Sequence, residues 1–133
     1  MSAPYAHLLP VDVAVWERFL AIHKGDYTLF EYDVRVGLGR DPGFEFESNI
    51  RQMALDLSYR RIDCVAHKPT EITVIEITHS AGFKALGQVN GYPILYALTF
   101  MPHLPIKSLL VCATIQSDIV PVLESLRVQY EVV

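Results

Sequence analysis

Two carboxylates, Asp63 and Glu76, stand in a stretch whose composition is typical of a β-hairpin. Valine, isoleucine and threonine dominate residues 61–78, and Pro69 and Thr70 near the middle favour a tight turn. Pairing outward from that turn places Asp63 directly opposite Glu76. Opposed side chains lie about 4.5–5.5 Å apart at Cβ, where two negative charges repel each other. The pairing therefore indicates a cation between the two acids.

A helix is predicted after the hairpin, over residues 80–98, and it adds polar groups to the same cleft. Lys84, Gln88 and Tyr92 follow one another at intervals of four and therefore lie on one side of that helix. Arg61, two residues before the aspartate, shares its strand face within reach of an anionic ligand. Carboxylates around Mg²⁺ with a cation nearby suit phosphodiester hydrolysis, because the metal activates water and the cation stabilises the transition state.

The composition is that of one globular domain. The 133 residues are 51% hydrophobic, which excludes a disordered chain, and no apolar run reaches the roughly 18 residues of a membrane span. The net charge of −4 provides no overall attraction to nucleic acid. Any contact with DNA must therefore come from a local basic patch or through metal ions.

The two cysteines and the start of the chain bear on its location. Cys64 and Cys112 lie inside apolar, strand-like runs and are predicted to be free, buried thiols in a reducing compartment. The first residues lack a basic region followed by an apolar core, so no secretory signal is expected. We therefore expect a cytoplasmic protein.

Periodicity along the chain predicts an α/β fold with a mixed, mainly four-stranded sheet and helices on both faces. Gly87 and Gly91 are expected to let the third helix pack closely on a flat surface, and Pro93 to kink or break it. The predicted elements are a loop at 1–10, helix 12–24, strand 27–36 with Phe30, Tyr32, Val34 and Val36 on one face, a short helix capped by Ser48, the hairpin, helix 80–98, strand 104–114, helix 118–129 and edge strand 130–133.

Three short motifs resemble the PD-(D/E)XK nuclease superfamily. They are Arg-Ile-Asp at 61–63, Val-Ile-Glu-Ile-Thr at 74–78 and Ala-Leu-Gly-Gln-Val-Asn-Gly-Tyr at 85–92, the last similar to the recombination-exonuclease branch. The resemblance implies a restriction-endonuclease-like core that acts on DNA. It also implies that Asp63, Glu76 and the backbone carbonyl of Ile77 bind Mg²⁺ or Mn²⁺, while Gln88 and Tyr92 border the site.

One departure from the family pattern leaves two alternatives open. Thr78 stands where the family has a lysine, and losing a transition-state cation costs about 100-fold or more in rate. In one alternative Lys84 replaces it and the enzyme is active. In the other the site is degenerate, and the chain is a structural or binding module. Its resemblance to small phage-encoded nuclease-like proteins then implies a neck, connector or tail component of a virion, in a homo-oligomer or larger viral assembly.

Overall fold

Five strands form a single open sheet in the order β1-β2-β3-β4-β5 in the computed structural model, which describes residues 4–133. The strands are β1 Leu29–Val36, β2 Arg60–Lys68, β3 Glu71–Ala81, β4 Ile106–Ile115 and β5 Gln129–Val132. The helices are α1 Pro10–His23, α2 Ser48–Ser58, α3 Phe83–Phe100 and α4 Val120–Ser125, with a 3₁₀ turn at Lys24–Asp26. The start of the predicted N-terminal loop lies outside the described residues.

The sheet is mixed, as predicted, but it has five strands rather than four. β1, β2 and β3 pair antiparallel, while β3, β4 and β5 run parallel. The fifth strand is β5, which pairs with β4 through four residues and forms the edge of the sheet beside it. None of the described helices is long and apolar enough to cross a membrane.

Helices cover both faces of the sheet, and β4 is buried between them. On one face α1 packs through Val15, Trp16 and Phe19, with Leu109 and Val111 of β4 in the same cluster. On the other face Leu110 and Cys112 of β4 pack with α3 and α4. A strand with apolar neighbours on both faces needs a continuous apolar run, and the prediction from residues 104–114 is confirmed. Both cysteines are free and buried, as expected.

The side-chain alternation of β1 reverses at Asp33, so the prediction that one face carries all four apolar residues is wrong. Tyr32 packs against Trp16 of α1, whereas Val36 lies in the cluster with Tyr96 of α3 on the opposite face. Asp33 has φ +56°, in the left-handed region, which rotates the following residues to the other side of the sheet. Strand periodicity cannot reveal such a reversal, since it depends on one backbone angle.

Three further predictions differ from the structure, and of the kink or break predicted at Pro93 the break is absent, because α3 continues through that residue. A Cβ at Gly87 or Gly91 would meet nothing within 4 Å, so the glycine face is open rather than closely packed. α2 begins after Glu47 without a side-chain cap, so Ser48 is its first residue rather than its cap. The last predicted helix is shorter, because Arg127 adopts φ +57° and the chain enters β5 soon afterwards.

Replacement of Asp33 tests the reversal of β1. We expect Asp33→Val to lower the free energy of unfolding by about 1–3 kcal/mol more than Asp33→Gly, because a β-branched residue is strained at positive φ and glycine is not. Both variants lose the carboxylate, so the comparison isolates the backbone. Urea unfolding measures the difference, and equal stabilities would contradict a left-handed residue at this position.

His23 links the end of α1 to the sheet edge. Its Nδ1 lies 2.8 Å from Asp26 Oδ2 and its Nε2 2.7 Å from Glu131 Oε2. The hydrogen bond to Asp26 raises the pKa of His23, burial opposes this, and Glu131 adds to the increase. Because the pKa of His23 is higher in the folded protein, its imidazolium form stabilises the fold at pH values below the unfolded pKa near 6.5. This stabilisation is lost as the pH rises through the folded-state pKa.

His23→Gln should therefore destabilise the protein at acidic pH and not at alkaline pH. We expect a loss of about 0.5–1 kcal/mol in the free energy of unfolding at pH 5.5, since the partners are solvent-accessible, and convergence with the parent by pH 9. Urea unfolding at the two pH values checks this. His103→Gln is the matched control, because His103 forms no ion pair within residues 4–133. A deficit that stays constant with pH would show that the charge is irrelevant.

Candidate active site

The hairpin turns at Pro69 and Thr70, as predicted, and its register places the two acids at its open end. Cys64 pairs with Ile75, and one further step in the same register brings Asp63 opposite Glu76. Beyond this point the two strands separate. The start of β2 pairs only with β1, and the end of β3 pairs only with β4. The acids therefore lie where the hairpin splits.

Asp63 bridges the split with its side chain. Its Oδ2 accepts a hydrogen bond of 3.0 Å from the backbone N–H of Ile77. This bond replaces the strand-to-strand hydrogen bond that is absent where β2 and β3 have separated. The N–H and C=O of one strand residue point to the same edge, so the Ile77 carbonyl also faces this gap. Burial raises the pKa of Asp63, and the Ile77 N–H partly opposes the shift.

Glu76 is the buried acid of the pair. It is only 4% exposed, and its Oε1 has no hydrogen-bond partner in the described part of the protein. Burial, followed by the negative charge of Asp63, raises the pKa of Glu76 to about 10. Without a cation the side chain is therefore protonated at neutral pH. An acid held in this state is poised to lose its proton when positive charge arrives.

Gln88 and Tyr92 of α3 lie on the same side as Glu76. The Gln88 amide donates to the Tyr92 hydroxyl at 3.5 Å. Burial raises the pKa of Tyr92, the charge of Glu76 adds to the shift, and Arg60 acts against it. Tyr92 is thus within electrostatic reach of both the buried acid and an arginine. The fold brings together four of the sequence-predicted site residues: Asp63, Glu76, Gln88 and Tyr92.

The remaining predicted side chains lie outside this group. Lys84 is exposed, lies two helical turns or about 12 Å along the axis from Tyr92, and forms no hydrogen bond or ion pair within residues 4–133. Arg61 is turned toward Asp33, with 3.2 Å between its Nε and the carboxylate. Thr78, partly buried, donates to the Ser80 carbonyl at 3.4 Å. Within residues 4–133, no ammonium group contacts the two acids.

Three residues near the site were not identified from the sequence. His7 Nε2 lies 3.5 Å from Asp63 Oδ1, and Asp12 accepts a hydrogen bond of 2.7 Å from the His79 N–H. Arg60 is the arginine that acts on Tyr92. Only Asp12 carried a signal, because an acid in the first turn of a helix is well placed to bind backbone N–H groups nearby. His7 reaches the site through tertiary packing alone.

The donor set fits a hard divalent cation better than a transition metal. Within residues 4–133 no group of three or more histidine, cysteine or acidic side chains is arranged to hold a metal ion. The oxygens of Asp63 and Glu76, with the Ile77 carbonyl, nevertheless offer what Mg²⁺ needs, since it binds through one or two carboxylates and keeps several waters. The partnerless buried Oε1 of Glu76 is the observation that supports this fit.

Comparisons with known proteins add no relative to this description. No protein-family model, no curated protein and no solved structure matches the chain. The fold and the site thus define an α/β protein with a buried glutamate beside a half-buried aspartate at the split of a hairpin, and its function must be inferred from that geometry.

Substitution of the buried acid should stabilise the protein at high pH. A folded-state pKa raised to about 10 means that the unfolded chain loses its proton first, so stability falls as the pH rises from about 4.5 toward 10. Glu76→Gln keeps the size and cannot ionise. We expect its free energy of unfolding to exceed that of the parent by about 1–3 kcal/mol at pH 9 and by little at pH 4.5.

Urea unfolding at several pH values, without divalent cations, measures this difference. Glu47→Gln is the matched control, since Glu47 is exposed and should show the same pH dependence as the parent. If the curves of Glu76→Gln and the parent run parallel from pH 4.5 to 9, Glu76 ionises normally and the description of the site is wrong.

Proposed function

We propose that this protein is a metal-dependent, nuclease-like protein that hydrolyses phosphodiester bonds of DNA at Asp63 and Glu76. One observation carries the proposal: a buried glutamate oxygen without a partner lies next to a second carboxylate, where the hairpin splits. A restriction-endonuclease-like core is part of the proposal. The mixed sheet supports it, because the antiparallel hairpin that carries the acids adjoins the parallel strand β4.

The residues of the site have distinct roles in this proposal. Asp63, Glu76 and the Ile77 carbonyl would hold Mg²⁺ or Mn²⁺, with Glu76 in its ionised form and its proton given up to water. When bound, the metal ion polarises the phosphate and lowers the pKa of a bound water. The burial of Glu76 excludes bulk water and strengthens its interaction with positive charge. Gln88 and Tyr92 offer polar groups at the border of the cleft that orient the DNA strand.

In this proposal the positive charge that stabilises the transition state comes from Arg60, and not from position 78, where the family pattern has a lysine. Lys84 is exposed and offset along α3, so it must reorient to assist. Arg60 already acts on Tyr92 beside the acids. An arginine that forms no hydrogen bond or ion pair with the acids in the described residues stabilises a developing phosphate charge less than a lysine in direct contact would, so turnover by the parent protein should be slow.

The missing positive charge beside the acids also supports a second candidate function. Thr78 occupies the lysine position and binds the Ser80 carbonyl, and no ammonium group contacts the acids in the described residues. This favours a catalytically silent module that keeps affinity for a metal or DNA. Such a module would serve a homo-oligomer or a larger assembly, as a virion component does.

A cleavage assay decides between the two candidates. Linear, circular and single-stranded DNA are incubated with the protein in Mg²⁺ or Mn²⁺, with EDTA as a blank. We expect slow cleavage by the parent and a loss of about 100-fold or more in Asp63→Ala, because the cation loses a ligand. Thr78→Lys should cleave faster by about 10–100-fold, since it places an ammonium group beside Glu76.

Lys84→Ala separates the contributions of the two lysine positions. If Lys84→Ala cleaves like the parent while Thr78→Lys cleaves faster, the positive charge that the site lacks belongs at position 78 alone. If neither the parent nor Thr78→Lys cleaves any substrate with either metal, the nuclease proposal is overturned and the silent module stands.

A further inference from the structure

An open cavity of about 1000 Å³ lies beside the acid site. It is bounded by the segment after β1, the end of α2 and the second half of α3, and its lining includes Gly37, Tyr59 and Thr99. The Gly37 N–H donates to Thr99 Oγ1 at 3.2 Å, which joins the first and third of these segments. The volume is at the upper end of that found for small-ligand sites, roughly 300–1000 Å³.

Unpaired positive charge lines this cavity. Arg40 and Arg60 both belong to its wall, and neither forms an ion pair within residues 4–133. A chain with net charge −4 thus places two arginines, both without an ion-pair partner in the described residues, in the wall of one cavity.

The rest of the wall is apolar and aromatic. Tyr59 contributes an aromatic ring, while Leu57 and Leu98 are 79% and 72% exposed although they line a concave surface. Large apolar side chains left open to water inside a cavity are typical of a site that a ligand covers. Arginines beside an aromatic ring suit a ligand with both an anionic group and a flat apolar face, as a nucleotide has.

Arg60 connects the cavity with the acids. It lines the cavity, and its charge lowers the pKa of Tyr92, which Glu76 raises. A ligand phosphate held at Arg60 would therefore lie next to the cleft that contains Asp63 and Glu76. Arg60 is thus the residue shared by the cavity wall and the surroundings of Tyr92.

We propose that this cavity binds one nucleotide of a single DNA strand, with its base against Tyr59 and its phosphate at Arg40 and Arg60. The inference rests on the proposed function, because it takes a DNA strand as the substrate and directs the neighbouring phosphodiester toward Asp63 and Glu76. A single strand is required, since a base stacked within a duplex has no free face to offer the ring.

Binding without cleavage tests the inference. Fluorescence anisotropy of a labelled 12-nucleotide single strand is measured in EDTA at several salt concentrations, with the corresponding duplex for comparison. Removing both arginines from this one phosphate in the double variant Arg40→Gln/Arg60→Gln should weaken binding and reduce the slope of log affinity against log salt by about 0.7. Tyr59→Ala should weaken binding about ten-fold or more and leave that slope unchanged.

A matched control removes two charges from the opposite side of the sheet. Arg18→Gln/Lys24→Gln changes α1 and the turn after it and should bind like the parent. Circular dichroism and urea unfolding confirm that each variant is folded. The inference is overturned if the parent does not bind the single strand, if the duplex binds as tightly, or if the cavity variants bind like the control.

The outcomes separate this inference from the proposed function. If the parent binds the strand as expected but neither it nor Thr78→Lys cleaves DNA, the nuclease proposal fails and the cavity remains a binding site of a silent module. If the parent cleaves DNA while the Arg40→Gln/Arg60→Gln and Tyr59→Ala variants bind and cleave like it, the cavity inference fails and the nuclease proposal stands.

Discussion

The burial of Glu76 next to Asp63 is the constraint on which the site depends. A carboxylate that is 4% exposed loses its hydration, and a second negative charge beside it adds repulsion, so the side chain remains protonated near neutral pH. Such an arrangement lowers stability compared with an apolar pair of similar volume. It is explained if a cation occupies the position between the two acids during function.

Two irregularities near the site, the left-handed backbone angle at Asp33 and the split of the hairpin at Asp63, occur in one row of acids. The register of β1 and β2 leaves Asp33 opposite Asp63, with normal pairs at Tyr32 and Val34 on either side, so three acids lie in a row across three strands. The fold separates their charges in different ways. Asp33 turns to Arg61 through a left-handed backbone angle, and Asp63 turns to the Ile77 N–H. Within the described residues, Glu76 Oε1 has neither a hydrogen-bond partner nor a cation beside it, whereas Asp33 Oδ1 lacks a hydrogen bond but lies 3.2 Å from Arg61.

Much of the site could be predicted because its parts are close in sequence or regularly spaced. The hairpin register followed from a two-residue turn, and the face of α3 that carries Gln88 and Tyr92 followed from helical spacing. Arg61 and Lys84 also fitted those periods, but in the structure Arg61 faces Asp33, and Lys84 is exposed one turn before Gln88 and two turns before Tyr92. His7 and Arg60 reach the site from distant parts of the chain, and no periodicity connects them to it.

The sequence by itself determined the order of helices and strands, the α/β class, the buried strand β4 and the opposition of Asp63 and Glu76. These features depend on patterns within a few residues, where the repeat of a strand or helix fixes which side chains share a face. Only the tertiary structure decided the fifth strand, the reversal at Asp33, the open glycine face of α3 and the protonated state of Glu76. Each of these depends on which atoms approach from elsewhere in the chain, because desolvation and charge interactions act through distance in space and not along the sequence.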